Sequence, residues 1–207
     1  TIGHAAYAGQ VSLMLFDFIK GEKLLDLNKI LVLPFGSLHM PTDAEKDNTL
    51  SYEKGGVLMR FQTKNQKRVL TCRWGNVEVK IRLERQNPNS LVINLPFDEY
   101  ARAFYYNHKI NCMTAEGYVK SGDREWRFDR KNSFGILDWG RGVWPFHNEW
   151  YWSNGSGRLD GEMFGFNLGC GFGNTDTART CFFTKARPIS WGRWTSGWET
   201  NIWIPGI

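Results

Sequence analysis

The segment Val77–Glu84 places Val77, Val79, Ile81 and Leu83 in strict alternation with Glu78, Lys80, Arg82 and Glu84. Successive side chains of an extended chain point to opposite sides, so this pattern has one dry face and one wet face as a strand. Wound into a helix it has no apolar stripe. Gly75-Asn76 stands directly before it, a pair suited to a two-residue hairpin turn. A half-buried strand entered from a tight turn belongs in an antiparallel sheet.

The neighbouring segments carry the same grammar. Ala5 to Ile19 is apolar and β-prone, and Lys20-Gly21-Glu22 turns it into a second run, Leu24 to Leu33. Pro34 to Asn48 is polar and punctuated by Pro and Gly, which predicts a loop. Val57, Met59 and Phe61 form one apolar row, and Leu70, Cys72 and Trp74 another. Ser90–Leu95, Ala103–Ile110 and Thr114–Val119 continue the series, and Ser121-Gly122-Asp123 turns the chain into Trp126 and Phe128. Helical periodicity never exceeds two turns, although Asp98 to Tyr106 fits a short helix as well as a strand. The expectation is an all-β fold, an antiparallel meander forming a barrel, sandwich or strongly curved sheet, with less than about one residue in six helical.

Charge distribution bears on the partner. The net charge is +5, but residues 179–207 hold four of the 26 basic residues and one of the 21 acidic ones, leaving 22 against 20 elsewhere. That is a solvated surface without a basic stripe for a phosphate backbone, so no nucleic-acid partner is expected. Cys72, Cys112, Cys170 and Cys181 have neither metal-ligand spacing nor the density of a disulfide scaffold, which suits a reducing, cytoplasmic setting. No apolar run reaches membrane-spanning length.

The stretch Phe134–Gly173 carries the candidate site. Trp139, Trp144, Trp150 and Trp152 stand beside Asp138, Arg141, His147 and Glu149, the mixture of large rings and few polar groups found in ligand pockets and in tryptophan-rich β cores alike. In a strand, Asp138 ends the apolar row begun by Phe134 and Ile136, where a lone carboxylate is costly. Arg141, across Gly140, is its expected partner. The pair is then a clamp on the Trp139–Pro145 turn, or Asp138 is a general acid or polar anchor. His147, Glu149 and Tyr151 alternate with Phe146, Trp150 and Trp152, so they line a cavity or face water. One isolated histidine makes no zinc site, and no metal or cofactor is expected. Gly165, Gly169, Gly171 and Gly173 lack the strand–turn–helix setting of a phosphate loop and predict bends or close backbone approach instead.

At these residues the chain resembles a known family. Lys131-Asn132-Ser133-Phe134 followed by Leu137-Asp138-Trp139-Gly140-Arg141-Gly142-Val143-Trp144-Pro145 is similar to the signature of a bacterial family catalogued as domain of unknown function 2804. Trp150-Tyr151-Trp152, Ser156-Gly157 and Gly165-Phe166-Asn167-Leu168-Gly169 resemble its next motif, with weaker likeness from about Ile2 to about Ala178. Members of that family are longer at both ends, so the resemblance implies an incomplete barrel domain over residues 1–178. More distant lipocalin-like relatives, carotenoid hydratases among them, imply a barrel around an apolar ligand.

Three functions follow as expectations. In the first, the protein binds a largely apolar small molecule, with Trp144, Trp150 and Trp152 as the wall and Asp138, Arg141 and His147 at the polar end; Glu149 and Asn167 complete the ligand contacts. In the second, it is a hydratase- or isomerase-like enzyme with Asp138 as proton donor, tuned by Arg141 or His147. The third is a structural or interaction domain. The tail, Arg179–Ile207, holds four of the ten tryptophans without a period to bury them, and a neighbouring reading frame of a compatible coding sequence resembles the family's continuation. The expectation is a tail translated out of frame, packing poorly and exposing its indoles.

Overall fold

The computed structural model describes residues 1–5 and 7–173, together with the backbone of strands 180–184 and 188–191. Among the described residues there is no helix, and every strand pair with a defined register is antiparallel. The all-β expectation therefore holds, as open antiparallel sheets with none closed into a barrel among the described residues. The chain divides into two compact units: residues 1–86 with 113–135, and residues 87–112 with 136–207.

The first unit opens with β1 (Ile2–His4), β2 (Ala8–Asp17) and β3 (Glu22–Val32), a three-stranded sheet in that order. A long loop then leads to a second sheet, where β4 (Asn48–Lys54) pairs with β5 (Val57–Lys64), β5 with β6 (Lys67–Trp74) and β6 with β7 (Val77–Glu84). Their connections are two residues long, and Gly55 and Gly56 both hold positive φ, 60° and 74°. Two consecutive residues in that region match the twist of a hairpin, and glycine reaches it at no steric cost.

Cross-strand register explains the core. Tyr52 pairs with Met59, Met59 with Cys72, Cys72 with Val79, Val79 with Val119 and Val119 with Trp126. Directly paired residues share a face, so one unbroken apolar row crosses the sheet and joins Val11, Leu50, Val57 and Val77 in a single core. Burying each such side chain contributes about 1.5–3 kcal/mol. On the opposite face Glu78, Lys80 and Arg82 are exposed, as the alternation required.

The strand expected as two pieces, Ala103–Ile110 and Thr114–Val119, is one. β9 runs 18 residues from Phe104 to Ser121. Asn111 lies between the pieces but commits its side chain to the Gly155 and Phe166 carbonyls, and each half has its own neighbour. Met113–Ser121 lies in the first unit, against β7 and β10 (Arg124–Phe128). Phe104–Lys109, in the second, pairs with β8 (Leu91–Pro96). Asp98 to Ala103 forms turns rather than a helix.

The second unit adds β11 (Phe134–Val143), whose last eight residues belong to it and which also pairs with β9. A separate sheet runs β12 (Tyr151–Leu159), β13 (Glu162–Cys170), β14 (Thr180–Thr184) and β15 (Pro188–Trp191). The side chains of Trp191, Trp194, Trp198 and Trp203, on which the tail expectation depends, lie outside the described residues. No helix among the described residues is long and apolar enough to cross a membrane.

Candidate functional site

The site is built on the face of β9 that carries Tyr105, Asn107, Lys109 and Asn111, spaced by two residues. Asn107, Lys109 and Asn111 are almost wholly buried, at 2%, 4% and 1% exposure. Groups this polar stay buried only when they are partnered. Asn111 donates its amide hydrogens to the carbonyl oxygens of Gly155 at 3.0 Å and Phe166 at 3.1 Å, stitching β9 to the β12–β13 pair. Asn107 donates to Asp138 Oδ1 at 2.6 Å, and Lys109 Nζ lies 3.1 Å from the same oxygen. The Lys109 ammonium also stands 4.2 Å from the centre of the Trp152 ring, an attraction that strengthens where water is excluded.

Close backbone approach makes this packing possible. A Cβ on Gly165 would meet Cys112 Sγ at 2.6 Å, so the glycine lets the two elements touch. Cys112 holds φ at 60°, donates its backbone N–H to Ser156 Oγ at 2.9 Å, and has its thiol pushed up by burial. A thiol shifted in that direction is a poor nucleophile.

Around the Lys109–Asp138 pair lies a cavity of about 370 Å³ whose wall is mostly aromatic. Its hub is Phe172, buried and edge-on to Tyr105 at 4.6 Å, Trp150 at 5.3 Å and Trp144 at 5.8 Å. Trp152 donates its indole N–H to Oδ1 of the fully buried Asn167 at 2.8 Å. Trp144, Trp150 and Trp152 nevertheless remain about half exposed. Rings of that size are seldom left half in water without a partner to cover them.

Several residues named from sequence meet here: Asp138, Trp144, Trp150, Trp152 and Asn167 all line the cavity. Arg141, His147 and Glu149 do not. The expected Asp138–Arg141 pair does not form, because β11 continues as a strand through Val143. Residues three apart in a strand face opposite sides. Asp138 turns toward Asn107 and Lys109, while Arg141 stacks over the Tyr106 ring at 5.5 Å. The alternation expected from Phe146 is likewise absent, since 144–150 is irregular and the strand begins only at Tyr151. Pro145, which lacks a backbone donor, interrupts the ladder there. His147 is exposed, its ring 5.2 Å from that of the exposed Phe146.

Lys109, Asn107, Tyr105 and Phe172 were not expected. The signal was present for Lys109: a lysine inside the run Phe104-Tyr105-Tyr106-Asn107-His108-Lys109-Ile110 sits on a strand with no room for a solvated charge. Recognising it requires knowing that this strand is covered on both faces.

A family model described as domain of unknown function (DUF2804) matches residues 1–184. No curated protein and no solved structure matches the chain.

Proposed function

We propose that this chain, which belongs to the DUF2804 family, binds a small and largely apolar molecule in the aromatic cavity of its second unit. The observation that carries the reading is the combination of three half-exposed indoles with a buried, ion-paired lysine on one wall. The volume of about 370 Å³ lies at the lower end for small-molecule sites, and a mostly apolar lining with few placed polar groups is their usual composition. Asp138 already accepts from Asn107 and Lys109 on one oxygen. Such a carboxylate is suited to orienting a ligand and holding a buried cation, which favours binding over the hydratase- or isomerase-like reading.

The test is titration with N-phenyl-1-naphthylamine, a neutral apolar fluorophore. Saturable enhancement at one site per chain is expected, weakened about fivefold or more in Trp150→Ala and Trp152→Ala, in line with truncation of aromatic contacts. Enhancement that does not saturate, or that is equal in both variants and the native chain, would remove the cavity from the account.

A further inference from the structure

The polar end of the cavity is built with a definite chemical preference, and resting on the reading above it narrows the ligand. Both partners of Asp138, Asn107 Nδ2 at 2.6 Å and Lys109 Nζ at 3.1 Å, fall on Oδ1. Among the described residues Oδ2 accepts no hydrogen bond, and 39% of the side chain is exposed on a residue that lines the cavity. Among the ring donors that line the cavity, Trp152 Nε1, on the ring that Lys109 faces, is committed to Asn167. At Asp138 the wall therefore offers an acceptor. Two amide and ammonium donors on one oxygen orient the carboxylate in advance, so little rotational freedom is lost when a ligand meets the other.

Charge decides which donor suits it. Lys109 and Asp138 together are neutral, and the lysine is 4% exposed. A ligand carboxylate would meet Oδ2 as a like charge, with the Lys109 cation beside it already paired and buried. A ligand ammonium would enter beside the Lys109 ammonium, 4.2 Å from the Trp152 ring that both would occupy, and like charges in a desolvated site repel strongly. A hydroxyl meets neither obstacle and donates to the carboxylate in a charge-assisted hydrogen bond. We infer that the cavity selects neutral molecules with a flat apolar body and a hydroxyl group, phenols or alcohols, and that Asp138 Oδ2 reads the hydroxyl hydrogen.

A matched series of naphthalenes separates the possibilities by calorimetric titration of the full chain: 2-naphthol, 2-methoxynaphthalene, naphthalene, 2-naphthoate and 2-naphthylmethylammonium. The naphthol is expected to bind about tenfold or more tightly than the methyl ether, the range for a hydrogen bond to a charged group. Both ions are expected to bind more weakly than the naphthol. In Asp138→Asn, where the free oxygen becomes an amide, the preference for naphthol over its ether should fall to about twofold or less. If naphthol and ether bind equally to the native chain, the inference fails while the cavity reading stands. Preference for the naphthoate or the ammonium overturns it in favour of an ionic anchor. Absence of binding by all five overturns both. The native series decides the matter even if the Asp138 variant does not fold.

Discussion

The two units of the chain differ in what they place at the centre of their packing. The first stacks one apolar side chain per strand from Tyr52 to Trp126 and leaves most of its charges outside, Arg85, 9% exposed and paired with Glu45, being an exception. There they form exposed pairs such as Lys23–Asp26 and Arg82–Glu116, which add little to stability. The second buries Asn107, His108, Lys109, Asn111 and Asn167 and leaves Trp144, Trp150 and Trp152 half exposed. A fold optimised for stability alone would exchange those assignments. The buried lysine and the half-exposed indoles both border the cavity of the second unit, whereas the first unit exposes its apolar side chains at Phe18, Ile19, Val32 and Phe35, away from its core row.

The comparison can be broken most severely in the first unit. Gly117 holds φ at 141°, and a Cβ there would stand 2.0 Å from the Lys80 carbonyl oxygen. Gly117→Ala should cost about 4 kcal/mol or more, or prevent folding, since strain and backbone collision act together. Denaturant unfolding at near-native stability would show that β7 and β9 have room to separate.

Met59, 2% exposed and second in the apolar row after Tyr52, comes next. Met59→Ala should cost about 2–5 kcal/mol while the folded fraction keeps its affinity for the naphthylamine probe. A loss of affinity in step with stability would mean that the units are not functionally separable.

In the second unit, Lys109→Met removes a buried charge but leaves the partly exposed Asp138 held by Asn107. Truncating a fully buried pair costs about 3–5 kcal/mol. Exposure of one partner brings the expectation down to about 1–3, with probe affinity changed more than the midpoint. An unchanged midpoint and unchanged affinity would remove Lys109 from both structure and site.

The smallest effect is electrostatic. The hydrogen bond from Arg130, with Lys67 beside it at 3.4 Å, holds the Glu84 carboxyl below the usual carboxylate range. A folded-state value below the unfolded one gives stability that is present above the unfolded value and lost as pH falls through the folded value. Glu84→Gln should therefore flatten the acid side of the stability profile slightly and leave the alkaline side alone. A change confined to alkaline pH would contradict the assignment.

How far the sequence could be read differs between the units for the same physical reason. Val77–Leu83 was legible because a sheet with one wet face writes its register as a period of two, and Gly75-Asn76 announced the turn. Gly165 was legible as a close approach because removing a Cβ has few other uses in a strand. The Asp138–Arg141 pair was misread because spacing alone does not say whether a Trp-Gly-Arg-Gly segment turns or runs straight. Lys109 was overlooked because a strand buried on both faces has no alternation to mark which residue looks into a cavity.

Local pattern thus settled the fold class and most of the first core and pointed to the tryptophans that line the cavity, since each depends on residues close in sequence. Tertiary structure alone decided the carboxylate's partners. Asn107 and Lys109 lie 31 and 29 positions from Asp138, and they meet it only because β9 and β11 are paired strands presenting those side chains to one face. No pairwise rule along the chain encodes that meeting, because the cost of burying the lysine is offset by a carboxylate that sits on another strand.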